Sequence, residues 1–414
     1  MLICHIFPPE IAPGGIMFNE LAEDLSAAGH RVTVVTGWPN HPRGVLFEGW
    51  RACFRRLEHH PKRFRIVRCG HSIHPTKRIV WRLWYYLTFA VSTFVNGLAT
   101  GPVDVVLCLS TPIFGSWSAW LLAKCKRARF VYDVFDLHPE GAHGAGLLGK
   151  GLAYRLWRGL DTLLCRWSDA IATLGEGMRR QIVDRGVPPG KVTVVPFWVD
   201  AGRLRPGDRD NAWRRAQGIP PDPFVALYAG TIGYVSGAGI LADVAARLRD
   251  RPDVLLLVVG EGVVKDELMR EAESRGLTNV RFLPFQPEEV LNDVQATADV
   301  GLVTLRPEAG RSSVPSKVLG YLAAGRAVIA GVAEDSDTAE VIRSSGCGVV
   351  VPAQDAAALA EAIRRAADDR EGTRRMGEAA RACLLERYGR QACVALYESL
   401  LGGPGSTASG KSRT

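Results

Sequence analysis

The stretch FVALYAGTIG, Phe224 to Gly233, opens on an unbroken apolar run and closes on two glycines that bracket Thr231 and Ile232. An apolar run of strand length without polar alternation suits a strand covered on both faces, as in a parallel sheet flanked by helices. Glycines directly after such a strand let the backbone turn and come close to a ligand. The same pattern repeats on either side. Val254–Val259, Val280–Leu283, Val300–Leu305, Ala327–Val332 and Gly348–Val351 are further apolar runs separated by helix-like segments. A second series fills the first half: Leu2–Ile6, Val32–Thr36, Val103–Leu109 and Phe130–Phe135. Between its first two members, Ile16, Leu21, Leu25 and Ala28 share one helical face, and Gly29 supplies the stop. The pattern predicts an α/β chain with two doubly wound parallel sheets, one in each half.

A chain of 414 residues exceeds the size at which one hydrophobic core keeps growing. The boundary is expected in Asp200–Asp222, rich in glycine, proline and charge and without strand pattern. This places an N-terminal domain at 1–199 and a C-terminal domain at 200–384, then a terminal helix at 385–401 and a disordered tail at 402–414. Apolar residues at 47% and charged residues at 23% exclude a disordered chain. Nine scattered cysteines, none at C-x-x-C spacing, indicate neither a zinc site nor a disulfide framework, and read as buried thiols of a cytoplasmic protein. No secretory signal pattern opens the sequence.

Three segments are suited to phosphate. PPEIAPGGI, Pro8 to Ile16, joins the first strand to the first helix, with Gly14 and Gly15 permitting close backbone approach. Tyr228 to Gly233 does the same in the second half. Open α/β sheets bind ligands at the carboxyl ends of their strands, so the two loops point to a shared cleft. The third is SSVPSKVLGYLAAGRAVIAG, Ser312 to Gly331, where Pro315 starts a helix with Ser316 and Lys317 in its first turn. A lysine opposes the helix dipole there, unless an anion such as a diphosphate docks between them.

FPPEIAPGG, AAGHRVTVVTG, LYAGTIG, VVGEG, VRFLPF, ADVGLVTL and PSKVLGYLAAGRAVIAG, taken in order, resemble the GT-B family 4 glycosyltransferases. Within that family they look most like the bacterial branch that builds colanic-acid and O-antigen type surface polysaccharides. The resemblance runs from Leu2 to about Leu400. It implies two Rossmann-like domains with a cleft between them and a C-terminal helix crossing back to the first. It also implies a retaining, metal-independent transfer from a nucleoside-diphosphate sugar, commonly UDP-linked, with no cofactor. On the matching motifs the donor would be held by Gly15, Gly230, Thr231, Ile232, Gly233, Gly260, Leu283, Pro315, Ser316 and Lys317. The family's usual Arg and Lys align with Thr231 and Ser236, and its spaced glutamates with Ser312 and Gly320. Lys317 is therefore read as the replacement cation, and the ribose contact is unassigned.

DVFDLHPE, Asp133 to Glu140, follows an apolar strand of the first half. Asp136 and His138 are candidates for steering the acceptor hydroxyl or the cationic sugar, and Gly14, Gly15, Asp136 and Glu140 for holding the acceptor. The alternative is an N-cap at Asp136 and an ordinary polar contact at His138. D-x-D strings at Asp208–Asp210 and Asp335–Asp337 fall in a linker and a polar loop, and no metal site is assigned to them.

From Arg51 to Arg82 there are ten Lys or Arg, four His and one acidic residue, Glu58. LWYYLTFAVSTFVNGLATGPV, Leu83 to Val103, follows with no formal charge. Its length would suit a membrane span. The polar interruptions, the break at Gly97 to Pro102 and the strand-like runs on either side favour an interfacial or buried helix instead. Lys77, Arg78, Trp81, Arg82, Trp84 and Tyr85 suit a lipid headgroup boundary. With no nucleic-acid module present, the partners expected are a nucleotide sugar, a polyprenyl-diphosphate-linked acceptor and an anionic membrane surface, at the cytoplasmic face of the inner membrane. A sugar-nucleotide epimerase and a degenerate, scaffolding transferase are the competing readings. The first leaves the apolar segment unexplained, and the second rests on the missing glutamates.

Overall fold

A computed structural model describes residues 1–10, 12–41, 44–74, 79–139, 149, 151–234, 236–307 and 315–402. The chain forms two compact units. One comprises Met1–Leu174, Met178–Val195 and the C-terminal stretch from Val394, the other Gly175–Gly177 and Pro196–Cys393. The break falls at Val195, just before the expected linker, because Phe197, Val199, Ala201 and Leu204 already pack on the core of the second unit.

In the first unit the strands are β1 (Leu2–Ile3), β2 (Thr33–Thr36), β3 (Arg55–His59), β4 (Arg65–Cys69), β5 (Val105–Leu109), β6 (Arg129–Val134), β7 (Ala170–Thr173) and β8 (Val192–Val194). Their order is β3-β4-β2-β1-β5-β6-β7-β8, all parallel except the β3–β4 hairpin. That hairpin lies within the basic segment, where charge masks the strand pattern. The direction of winding reverses between β1 and β5. β1 is shorter than the apolar run Leu2–Ile6, and the first helix, Pro13–Ala27, lies close against the end of that run: a Cβ at Gly15 would lie 2.8 Å from the Ile6 carbonyl oxygen. Gly14 and Gly15 therefore belong to the first helical turn, after Pro13, and not to a loop.

In the second unit β9 (Phe224–Ala229), β10 (Val254–Val259), β11 (Val280–Leu283), β12 (Val300–Thr304), β13 (Ala327–Gly331) and β14 (Gly348–Val351) form a parallel sheet of order β11-β10-β9-β12-β13-β14. Its winding reverses between β9 and β12, which places the carboxyl end of β9, and hence Gly230, at the switch point. β9 is buried along its whole length, with apolar side chains on both faces. Among the described residues no helix is long and apolar enough to cross a membrane.

Candidate active site

In the second unit the site is assembled around two tyrosines. Tyr321 lies on the helix Ser316–Ala323, with its ring against Gly301, where any Cβ would collide with it. β9 and β12 pair only at Val300–Ala226 and Gly301–Leu227, so their ladder ends before the carboxyl end of β9. The buried Tyr321 hydroxyl fills that gap: it accepts from the Ala229 N–H at 2.8 Å and donates to the Leu227 carbonyl at 2.9 Å. This pins the helix, and with it Lys317, over the switch point.

Tyr228, fully buried, donates its hydroxyl to the Thr231 carbonyl at 2.8 Å and fixes the glycine loop from below. Lys317 Nζ donates to the same hydroxyl at 2.8 Å and lies 4.0 Å from the Tyr228 ring centroid. A Cβ on Gly230 would stand 3.5 Å from Lys317 Cε, so the ammonium rides directly above the glycine turn. Burial lowers the Lys317 pKa to about 8, and the Tyr228 phenol beside it brings no compensating negative charge. The exposed Ser316 and the uncapped helix start at Pro315 add the N–H groups of Ser316 and Lys317, while that of Val318 donates to the Pro315 carbonyl at 2.9 Å. Together these offer a bound anion one cation and several oriented donors.

The remaining donor candidates divide by role. Thr231 is exposed and Gly233 half-buried. Gly233 N–H donates to Ser236 Oγ at 3.1 Å. Ile232 is fully buried, its N–H given to the Glu261 carbonyl at 2.9 Å, so it joins loops and offers a ligand no side chain. Gly260, with φ +157, lies so close to the Gly230 carbonyl that a Cβ would strike it, and its N–H donates to the Leu283 carbonyl at 3.0 Å. Gly260 and Leu283 thus shape the turn around Gly230. Of the D-x-D aspartates, Asp208 caps the Asp210 N–H, Asp210 pairs with Arg215, and Asp337 accepts the Gly177 N–H at 2.7 Å.

In the first unit, Gly14 sits against Leu109 and Phe135, where a Cβ would meet each at 3.2 Å. Asp136 follows Phe135 and is exposed. Its turn is held by Ser110 Oγ, which accepts the N–H groups of Phe135 at 3.2 Å and Asp136 at 3.3 Å, and Asp136 opens no helix among the described residues. His138 is turned away into a stack with Trp157, centroids 5.8 Å apart, and its Nε2 is buried. Glu140, Lys77, Arg78 and Ser312 lie outside the described residues. Trp81, Arg82 and Trp84 are exposed, whereas Tyr85 packs edge-on to His71 at 4.7 Å, and burial raises its phenol pKa. Tyr85 therefore faces inward and not towards a headgroup boundary.

Three polar devices of this unit escape sequence reading. The buried Glu10 carboxylate accepts the N–H groups of Phe7 (3.2 Å), Asn40 (2.9 Å) and His41 (2.8 Å), tying the loop after β1 to that after β2. Burial raises its pKa against the pull of those bonds and of Arg68. Arg68, itself buried, donates to the carbonyls of Pro8 and Gly37 in the same two loops. Asp133 is buried and accepts the Tyr397 hydroxyl at 2.5 Å, attaching the helix Arg390–Leu401 to β6, and burial raises its pKa to about 7. A tyrosine within an apolar run is the available signal for such devices, because a buried phenol seeks a partner.

Residues 14–198 match a glycosyl transferase 4-like domain and residues 209–382 the glycosyl transferases group 1 domain. The chain belongs to the GT-B glycosyltransferases of family 4. This family 4 transferase is 28% identical over 372 residues to the colanic acid biosynthesis glycosyl transferase WcaI of Escherichia coli strain K12, covering 87% of this chain and 90% of that protein. Sucrose-phosphate synthase from Thermosynechococcus elongatus superposes with a TM-score of 0.73 at 19% identity, over 96% of this chain and 97% of the other. Anabaena Alr3699/HepE, solved in complex with UDP and glucose, gives a TM-score of 0.68 at 15% identity over 97% and 98%. At these identities the two solved structures share the fold of the transferase, in agreement with the doubly wound sheets described above.

Proposed function

We propose that this transferase moves a hexosyl or N-acetylhexosaminyl group from a nucleoside-diphosphate sugar, UDP-linked, to a polyprenyl-diphosphate-linked glycan. It does so with retention of configuration and without metal, in cell-surface polysaccharide synthesis, while resting peripherally on the cytoplasmic face of the inner membrane. The observation that carries the reading is the Lys317 ammonium held over Gly230 at the switch point of the second sheet. Support comes from the naming of WcaI for colanic acid biosynthesis and from the UDP and glucose held by HepE.

As the bond from the anomeric carbon to the phosphate oxygen breaks, negative charge grows on the departing diphosphate. Lys317 and the N–H groups at the start of its helix stabilise that charge, and preorganised donors cost no rearrangement at that moment. The acceptor hydroxyl attacks from the face that the diphosphate leaves, and its proton passes to a phosphate oxygen. In this reading Asp136 orients that hydroxyl, and Glu10 with Arg68 holds the loops around it. His138, stacked on Trp157, acts through position.

The test is a donor screen with UDP-, GDP- and TDP-sugars by thermal shift and by transfer to a lipid-linked acceptor. Lys317→Ala is expected to lose transfer at subsaturating donor. Full activity of that variant under those conditions would refute the assignment.

A further inference from the structure

The helix Ile79–Leu98 buries Phe89 and Ala90 but also turns polar side chains inward and an apolar row outward. Its Ser92, Thr93 and Asn96 are buried, and Asn96 Nδ2 donates to the carbonyls of Phe54 at 3.2 Å and Ser92 at 3.0 Å. Its Val80, Leu83, Leu87, Val91, Val95 and Leu98 are exposed. A helix whose outer face meets water carries polar side chains there, since apolar surface is what it gains by hiding. A second helix, Leu152–Trp167, repeats the feature. Leu152, Leu156 and Leu160 recur at helical spacing and are 83%, 63% and 41% exposed, while Asp161, Leu164 and Cys165 face inward.

Topology puts both stripes on one side. The crossovers from β4 to β5, β5 to β6 and β6 to β7 all run in the same direction across the sheet. Right-handed crossovers then lay the helices Ile79–Leu98, Ile113–Lys126 and Leu152–Trp167 on the same face. The middle helix exposes Phe114 and Leu121, and its Trp120 stacks on Trp167 with centroids 4.9 Å apart.

The charge that the three helices expose has one sign. The three helices carry Arg82, Lys124, Lys126, Arg155, Arg158 and Arg166. Their single acidic residue, Asp161, is buried and paired with Arg185 at 2.7 Å. A second copy docking here by two-fold symmetry would set these cations against themselves. An anionic bilayer meets both the apolar stripes and the positive field.

We infer that the helix Leu152–Trp167 is a second membrane arm, which together with Ile79–Leu98 seats the first unit on an anionic leaflet at two separated stripes. This rests on the membrane-peripheral reading above and adds a contact that the basic segment does not contain. Two arms fix the tilt of the unit on the membrane as well as its attachment, which one interfacial helix leaves free to rotate.

The experiment is co-sedimentation of the full chain with phosphatidylcholine vesicles, with and without phosphatidylglycerol, for wild type, Leu152→Asp/Leu156→Asp, Leu87→Asp/Val91→Asp and all four together. Far-UV circular dichroism and thermal unfolding check the fold, and donor hydrolysis in the absence of vesicles checks the site. Each buried leucine is worth on the order of tenfold in partitioning. Each pair is therefore expected to weaken binding to anionic vesicles by roughly tenfold or more, and the four together to abolish it. Raised salt should release the wild type. The inference is overturned if Leu152→Asp/Leu156→Asp binds anionic vesicles like the wild type, or if its only effect is to convert a dimer to a monomer. A chain that binds vesicles through both arms yet transfers no sugar would instead overturn the transferase reading.

Discussion

Removing one oxygen tests how the second unit positions its lysine. In Tyr321→Phe the ring still covers Gly301, but the Ala229 N–H and the Leu227 carbonyl lose the group that closes the gap between β9 and β12. Both residues are buried at the end of an interrupted ladder. An orphaned buried donor or acceptor costs about 1–3 kcal/mol, so the pair is worth roughly 2–4 kcal/mol allowing for partial relaxation. Because the chain has two units, a global unfolding midpoint would blend them, and local protection is the cleaner measure. Native-state hydrogen exchange at the Ala229 amide should accelerate on the order of 30- to 1,000-fold, the same free energy expressed as a rate ratio. Donor affinity should fall as well, since the helix carrying Lys317 loses its anchor. Tyr234→Phe, at an exposed ring of the neighbouring loop, serves as control and should change neither. If Tyr321→Phe left the Ala229 amide as protected as in the wild type, the hydroxyl would not be what holds the helix over the switch point.

Other expected outcomes concern single groups. With the Lys317 pKa lowered to about 8, the ammonium is present below that pH and is lost above it. Donor affinity measured by calorimetry should therefore be highest below pH 8 and weaken above it, by up to about tenfold per pH unit, and Lys317→Met should be weak and flat across the range. Asp133, raised to about 7, binds its proton more tightly folded than unfolded. The contribution of Asp133 to the stability of the first unit should be full below the ordinary carboxyl value of 3.8 and be lost as pH rises to about 7, at no more than ~1.4 kcal/mol per pH unit. The wild-type minus Asp133→Asn difference in urea unfolding isolates that slope, and a zero difference would remove Asp133 as its source. Gly260→Ala forces a Cβ into the Gly230 carbonyl, so donor binding should drop by about tenfold or more, a loss of ~1.4 kcal/mol, while the fold by circular dichroism is kept.

The sequence is most legible where burial is two-sided. β9, β10, β12 and β13 each read as continuous apolar runs because no face of them meets water, and the glycines after β9 mark the turn that follows. β3 and β4 are invisible to the same reasoning, since an edge hairpin carrying Arg55, Arg56 and Arg65 has no apolar period to detect. Lys317 stands out in sequence as a cation at the wrong end of a helix. Its seat on Tyr228 does not, because the two residues are 89 positions apart and nothing local couples them. Asp136 and His138 are neighbours of equal promise in sequence. One faces solvent and the other stacks on Trp157, a difference set by the direction of the chain after β6.

What the sequence by itself determined is the alternation of buried strands and helices in two series, the glycine turn after β9, and a basic segment running into an apolar one. These follow from local rules of side-chain period, glycine freedom and charge. The tertiary structure decided which faces those helices present and which distant groups meet. Ser92 and Asn96 turn inward while Leu87 and Val91 turn outward, and Tyr321 closes a gap between two strands. Periodicity shows that a helix has two faces; only packing against the rest of the chain chooses which of them meets solvent.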